Sequence, residues 1–293
     1  MPITRKIMGV SRGGGGQRAI FGYGTSNFTN LVSSAGVVST DVAIVGTARF
    51  GLAAAAYGTD KAIFGYGNDN TNNISTTNLV SSSGVVASDT TGVGTVRRSL
   101  AAANYGTDKA IFGYGRANPD NATAITNKVS SIGVVASDTT GVGTSRYWLA
   151  AASYGTDKAI FGYGNANFTN LVSSAGVVST DVATVGTARS GLAAASYGTD
   201  KAIFGYGYAA GYQAITNKVS SIGVVASDTT GVGTGRSDLA AASYGTDKAI
   251  FGYGSTGAGS SLTNLVSSTG VVSTNTTGVG TARSQLAASS YGT

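Results

Sequence analysis

The chain has 293 residues, of which 45 are Gly and 2 are Pro. Only 11% are charged, against about 25% in an ordinary soluble domain. All 13 acidic residues are Asp, and there is no His and no Cys, which excludes disulfides and thiol chemistry and removes the usual general bases and zinc ligands. The 42% apolar content, with 15 Tyr and 9 Phe, nevertheless predicts a packed core.

The first 17 residues are basic and Gly-rich, and we interpret them as an N-terminal arm. Their few positive charges do not favour a nucleic-acid site and fit a solvated arm, although the net charge is +6. No stretch is apolar enough for a signal peptide or a membrane span. We therefore expect no membrane insertion and synthesis in the cytoplasm without an export signal.

A six-fold repeat dominates the chain. The motif AIFGYG begins at Ala19, Ala62, Ala110, Ala159, Ala202 and Ala249, with spacings of 43, 48, 49, 43 and 47 residues. A second motif, R-x-x-L-A-A, also occurs six times, beginning at Arg49, Arg97, Arg146, Arg189, Arg236 and Arg283. Periods of this length are typical of solenoids, propellers and repeat arrays.

Each repeat predicts four short strands. They are LAAASYG, KAIFGYG, TNLVSS, and VVSTDV or VVASDT, and Gly, Asn and Asp separate them. The first two are nearly continuous apolar runs, a pattern typical of strands covered on both faces. No helical period is present, so the sequence predicts an all-β fold.

The two chain ends hold the two halves of one repeat. The chain stops on LAASSYGT at residues 286–293, and the missing half, QRAIFGYG, occupies residues 17–24. An open solenoid has no reason to divide its repeat and needs polar caps. We therefore predict that residues 18–293 form a closed six-bladed β-propeller of four-stranded blades, in which the N- and C-terminal strands share one blade.

The repeats resemble two known groups. The order R-x-x-L-A-A-A, D-K-A-I-F-G-Y-G and T-N-x-V resembles the Kelch repeat over residues 18–293, although Gly-Tyr-Gly replaces adjacent glycines and the outer-strand Trp is missing. The longer unit TNLVSxxGVVxxDTTGVGTxRxxLAAAxYGTDKAIFGYG looks like the repeats of bacteriophage virion and tail-fibre-type proteins. The first resemblance implies a propeller, and the second implies a structural or host-contacting part of a virion.

The repeats differ from one another mainly in the loop between the second and third strands and in the crossover to the next repeat. In a propeller both segments lie on the same face, so this face is where we expect recognition, although relaxed constraint on loops gives the same pattern. Aromatic, Arg and amide groups suit carbohydrate or protein ligands. The candidate ligand-binding residues are Arg146, Tyr147, Trp148, Arg116, Asn118, Asp120, Tyr208 and Tyr212.

An Asp stands eight residues before five of the six repeat Arg residues, and Asn275 takes its place in the sixth. We expect each Asp to pair with the Arg that follows it, linking the outer strand to the crossover. No carboxylate pair suited to glycosidase chemistry and no phosphate loop is recognisable. We expect no catalytic residues, metal or cofactor.

The leading hypothesis is a non-enzymatic, virion-associated or adhesin-like module that binds a surface glycan or another virion protein. An intracellular Kelch-like interaction module and a purely structural or engineered repeat scaffold remain open at this point.

Overall fold

The computed structural model describes residues 18–292, which contain β-strands and no helix. No segment of this range could therefore cross a bilayer as a helix. The predicted arm at residues 1–17 lies outside the described residues. We number the strands β1 to β23 in chain order.

Most strands occupy one of three positions in the repeat. The first strands are β4 (Ala53–Tyr57), β8 (Ala101–Tyr105), β13 (Ala150–Tyr154), β17 (Ala193–Tyr197), β20 (Ala240–Tyr244) and β23 (Ala287–Tyr291). The second strands are β1 (Arg18–Gly22), β5 (Lys61–Gly65), β9 (Lys109–Gly113), β14 (Lys158–Gly162), β18 (Lys201–Gly205) and β21 (Lys248–Gly252). The third strands are β2 (Phe28–Val32), β6 (Thr77–Val80), β12 (Thr126–Val129), β15 (Phe168–Val172), β19 (Thr216–Val219) and β22 (Thr263–Val266). The remaining strands have two residues each, and they are β3 (Val42–Ala43), β7 (Arg97–Arg98), β10 (Arg116–Ala117), β11 (Asn121–Ala122) and β16 (Val182–Ala183).

These strands form seven small antiparallel sheets. Six of them hold one first, one second and one third strand, with the second in the middle. We call them sheets 1 to 6, and they are β23-β1-β2-β3, β4-β5-β6, β8-β9-β12, β13-β14-β15-β16, β17-β18-β19 and β20-β21-β22. The seventh, β11-β10-β7, joins the long loop of sheet 3 to the crossover that precedes it.

The two ends of the chain meet in sheet 1, as the split repeat predicts. Strand β23 pairs with β1 along its whole length, from Arg18 opposite Tyr291 to Gly22 opposite Ala287. The same register joins first and second strands in the other sheets, for example Lys61 opposite Tyr57. The last strand of the chain thus completes a sheet that the first strand begins.

The predicted fourth strand is largely replaced by a bulged segment. Only sheets 1 and 4 gain a two-residue fourth strand, and the others have single bridges such as Val80 with Val86 and Thr77 with Thr90. Two residues separate Thr77 from Val80 in the third strand, whereas three separate Val86 from Thr90 in the segment opposite. The fourth segment therefore has one extra residue, which interrupts its pairing with the third strand. The side chain of Asn78 fills the gap by donating to the carbonyl of Ala87.

Hydrophobic packing joins each sheet to the next. Six clusters of buried side chains lie between sheets 1 and 2, 2 and 3, 3 and 4, 4 and 5, 5 and 6, and 6 and 1. The first strands of consecutive sheets also contact each other, and β23 contacts both β20 and β4. The core is therefore divided equally among six interfaces.

The second strands are buried on both faces, as their apolar runs predict, but five of the six first strands alternate between buried and half-buried residues. The exception is β23, in which Ser289 and Ser290 are both buried. In β4, Ala53, Ala55 and Tyr57 are buried while Ala54 and Ala56 are half-buried. Small side chains of all six first strands, mostly Ala and Ser, line a cavity of about 50 Å³. The prediction of two covered faces was wrong for these strands because one face borders this cavity.

The Gly-Tyr-Gly motif has a separate steric reason at each position. A Cβ on Gly22 would lie 2.7 Å from the ring of Phe64 in the next sheet, so the first Gly admits that ring. Tyr23 has φ of 64° and Gly24 has φ of 96°, which turns the chain sharply at the end of β1. The motif combines close packing between sheets with the turn out of the strand.

We predict that Phe21→Ala and Phe112→Ala destabilise the protein equally. Both rings are fully buried at equivalent positions, and Phe→Ala in a core costs about 3–5 kcal/mol. Phe21 lies in the sheet assembled from the two chain ends, whereas Phe112 lies in a sheet from one continuous segment. Denaturant unfolding of both variants measures the costs, and a much smaller loss for Phe21→Ala would show that sheet 1 is loosely attached.

Candidate functional site

The six repeat Arg residues are buried between sheets, where each binds two neighbouring repeats. Arg97 is fully buried and donates to the carbonyl of Tyr114, the carbonyl of Thr95 and Oδ1 of Asn127 at 2.9, 3.1 and 2.6 Å. Its guanidinium also stacks on Tyr66 of the preceding repeat, 4.2 Å from the ring centre. Planar, charge-assisted contacts of this kind favour Arg over Lys.

All six Arg residues repeat this stacking and the bond to Asn. The stacked pairs are Arg49 with Tyr23, Arg97 with Tyr66, Arg146 with Tyr114, Arg189 with Tyr163, Arg236 with Tyr206 and Arg283 with Tyr253. Arg283 donates to Asn30 at 2.6 Å, so the same device joins the end of the chain to its beginning. Burial lowers the pKa of these guanidinium groups and raises the pKa of the stacked Tyr114 to about 12.

The expected pairing of Asp with the Arg that follows it was wrong. Asp138 stands eight residues before Arg146, but it accepts hydrogen bonds from Thr95 and Asn127, the residues around Arg97, at 2.6 and 2.9 Å. Where an Arg approaches an Asp directly, the distance is long, such as 3.7 Å from Arg146 to Asp181, and the Asp is not the one that stands eight residues before that Arg. The Asn side chain carries the contact because it faces both groups, donating to Asp and accepting from Arg.

Hydrogen bonding keeps these Asp residues ionised. Burial by itself raises the pKa of Asp138, but the bonds from Thr95 and Asn127 outweigh it and lower the pKa below 3.8. The sixth repeat has Asn275, whose amide donates to the hydroxyl of Thr234 at 2.8 Å and whose oxygen accepts from Asn264 at 3.1 Å. An uncharged amide can therefore occupy this position.

The crossover turns meet in a closed ring of hydrogen bonds. Each turn contributes one residue with φ between 52° and 62°, whose N–H donates to the carbonyl of the equivalent residue one repeat earlier. The six N···O distances are 2.7–2.9 Å, and the bond from Gly51 to Gln285 closes the ring. The ring residues are Gly51, Ser99, Trp148, Gly191, Asp238 and Gln285.

This ring is the rim of a cavity of about 70 Å³, which we call the axial cup. Its floor consists of the six Leu residues that follow the ring residues, all about 5% exposed, namely Leu52, Leu100, Leu149, Leu192, Leu239 and Leu286. The floor is uniform, whereas the rim presents two Gly, one hydroxyl, one amide, one carboxylate and one indole. The side chains that could distinguish one ligand from another therefore lie at the rim of the cup.

Burial raises the pKa of Asp238, and a hydrogen bond from Ser237 at 3.4 Å partly opposes this effect. A Cβ on Gly191 would lie 3.1 Å from Oδ1 of Asp238, so the carboxylate leans over the Gly between itself and Trp148. Within the described range 18–292, no Lys or Arg forms an ion pair with it.

An aromatic cluster next to the axial cup contains several predicted site residues. Arg116 lies 4.2 Å from the ring centre of Tyr147 and 5.5 Å from that of Trp148, and the two rings meet edge to face at 5.0 Å. Asp120 pairs with Arg98 at 3.0 Å, and Arg98 was not among the predicted residues. We call Arg98, Arg116, Asp120, Tyr147 and Trp148 the aromatic cluster.

The other predicted residues have different surroundings. Asn118 accepts from Asn73 at 2.8 Å at the edge of this cluster. Tyr208 and Tyr212 pair edge to face with each other, 5.3 Å apart, in the loop of sheet 5. Arg146 is fully buried in the inter-sheet contact described above, so it is not accessible to a surface ligand.

Sequence reasoning identified the crossover pairs but not the cup that they form. The sequence showed only that the second residue of the crossover pair differs between repeats, being Gly, Ser, Trp, Gly, Asp and Gln in turn. Their convergence on one rim required the ring of hydrogen bonds, which links residues up to 234 positions apart in the chain, from Gly51 to Gln285.

No protein-family profile matches the chain, and no curated protein matches it. The resemblances to Kelch and phage repeats rest on the quoted motifs alone.

We predict that Arg97→Met destabilises the protein by about 3 kcal/mol or more. The substitution leaves buried acceptors on Tyr114 and Asn127 without donors, at about 1–3 kcal/mol each. The adjacent Arg98→Met is the matched control, since a surface ion pair is worth about 0–1 kcal/mol. Equal losses for the two variants in denaturant unfolding would contradict the structural role of Arg97.

We predict that the stabilising contribution of Asp138 disappears as the pH falls through its lowered folded-state pKa. Its folded pKa lies below the ordinary 3.8, so this contribution is fully present above that value. Asp138→Asn reproduces Asn275 and should flatten the dependence of unfolding free energy on pH below 4. Unfolding curves across this acid range test it, and an unchanged slope in the variant would refute the linkage.

Proposed function

We propose that residues 18–292 form a closed six-bladed β-propeller that works as a non-enzymatic recognition module. Three observations support the closed ring: sheet 1 unites both chain ends, six hydrophobic clusters join the sheets in succession and back to the first, and the crossover turns complete a cycle of hydrogen bonds. An open array would leave the outer faces of its first and last sheets uncovered.

The proposed binding surface is the face that carries the crossovers and the loops after the second strands. In sheets 2, 3, 5 and 6 these loops fold back as tight hairpins or bridges against the crossovers, as Tyr208 does with Ser190. On the other face, the ring of Tyr57 packs against Gly133, so the two kinds of short turn support each other there. The loops on the first face vary in length and chemistry over a constant scaffold, which suits recognition.

We propose that the ligand is a surface glycan, and the aromatic cluster is the observation that carries this proposal. Trp148 remains 38% exposed although Arg116 and Tyr147 hold its orientation. An exposed indole can pack against the C–H face of a sugar ring, while neighbouring Arg and Asp side chains bond its hydroxyls. Pre-stacked groups of this kind lose little conformational entropy when a ligand binds.

The resemblance of the repeats to those of phage virion and tail-fibre-type proteins supports a virion location. On this proposal the aromatic cluster contacts a glycan on the host surface.

We predict that the protein binds a defined subset of glycans on an array, and that Trp148→Ala and Arg116→Ala each weaken binding at least about tenfold. Lys158→Ala is the control, because Lys158 lies on the opposite face and pairs only with the adjacent Asp157 among the described residues. Binding unaffected by both cluster variants, or absent from the whole array, would refute glycan recognition by this surface.

A further inference from the structure

The axial cup combines three features that together point to one kind of ligand. Its floor is six aliphatic Leu side chains, its rim carries an indole, and the same rim carries one carboxylate with no cationic partner among residues 18–292. An aliphatic floor accepts a hydrocarbon chain, and both a carboxylate and an aromatic face attract a positive charge.

We infer that the axial cup binds a primary ammonium group carried on an aliphatic chain. The ammonium group lies over Gly191, between the carboxylate of Asp238 and the ring of Trp148, and the chain contacts the Leu floor. This site shares Trp148 with the proposed glycan surface, but it depends on Asp238 and the Leu floor, which are not part of that surface.

The position of Asp238 in the ring supports this assignment. Its Oδ1 lies 3.1 Å from the point that a Cβ on Gly191 would occupy, and Gly191 places no side chain between Asp238 and Trp148 on the rim. Gly191 donates its N–H to the carbonyl of Trp148 at 2.9 Å, which places the three residues consecutively around the rim. A ligand cation there can contact the carboxylate and the indole together.

The rim residues hold a backbone conformation that side chains disfavour. Ser99, Trp148, Asp238 and Gln285 all have φ between 52° and 56°, where Gly would be unstrained, as at Gly51 and Gly191. Backbone stability alone favours Gly at all six positions. Side chains retained despite strain are a mark of functional sites.

The electrostatic surroundings favour a cation over an anion in the cup. Asp238 is the one ionisable residue among the described residues that line it, and its two ring neighbours, Gly191 and Gln285, are uncharged. Outside the rim, Arg98 is paired with Asp120. Arg116 stacks on Tyr147, lies 5.5 Å from the ring centre of Trp148 and lies 3.8 Å from Asp120. These two Arg residues therefore share a carboxylate of their own and do not neutralise Asp238.

The size of the cup limits the ligand. The cavity of about 70 Å³ has room for an ammonium group and a short part of its chain. The source of the ammonium group is either a free alkylamine or a Lys side chain of another protein, and both present the same chemistry.

Trp148 is the only Trp in the chain, so its fluorescence reports directly on the cup. We predict that n-butylammonium changes this fluorescence saturably at neutral pH and that the neutral isostere n-butanol binds at least about tenfold more weakly, because hydrogen bonds to a charged group are stronger. A lysine derivative blocked at its amino and carboxyl ends forms the second arm. Binding of both amines indicates that a protein Lys can reach the cup, whereas binding of butylammonium alone restricts the site to free amines.

Asp238→Asn keeps the shape of the rim and removes its charge, so it should weaken butylammonium binding at least about tenfold. Asp247→Asn is the matched control. It makes the same change of charge in a short turn that lines a different pocket, away from the cup. Wild-type binding should also weaken as the pH falls through the raised pKa of Asp238, because the protonated carboxyl has no charge.

Three results would overturn the inference. They are equal affinity for butanol and butylammonium, undiminished binding by Asp238→Asn, and no saturable response in either fluorescence or NMR line positions. Folding of both variants is checked by their unfolding transitions. Asp238→Asn separates this inference from glycan recognition, because it removes the charge of the cup and leaves Arg116, Tyr147 and Trp148 of the aromatic cluster in place.

Discussion

The contact of each buried Arg with two neighbouring repeats is the interaction on which the rest of the structure depends. The guanidinium stacks on Tyr of one repeat and bonds Asn of the next, so that no repeat can satisfy its polar groups alone. A buried charge is tolerated only when its hydrogen bonds are complete. Correct spacing between adjacent sheets is thus specified by hydrogen-bond geometry as well as by hydrophobic packing, which is less directional.

The small residues of the chain follow from this arrangement. Gly22 and its equivalents make room for a Phe ring of the next sheet, and Ala and Ser on the first strands border a small cavity. Larger residues at these positions would push neighbouring sheets apart. The low charge content has the same origin, because much of the surface of each sheet is covered by its neighbours.

Division of the core among six interfaces leaves the loops and crossovers free to vary. Packing between sheets fixes the strands, the Arg contacts and the short turns, whereas the loops after the second strands differ in length and in side chains from sheet to sheet. The aromatic cluster and the rim of the axial cup both lie in this variable set. A scaffold with constant interfaces can thus present different side chains at six equivalent places.

The sequence by itself determined the all-β class, the six repeats and the pairing of the two chain ends, because each depends on local patterns or on a repeat that is visibly divided. It also indicated Tyr147, Trp148 and Arg116 as candidates, since they break the repeat pattern. It did not determine the partner of the repeat Arg residues. Arg97 and Asp138 meet only through Asn127, and the spacing of Asp and Arg in the sequence does not reveal this contact. Only the tertiary structure brought Asp238, Gly191 and Trp148 to one rim, since that convergence arises from a cycle of backbone bonds between residues far apart in the chain.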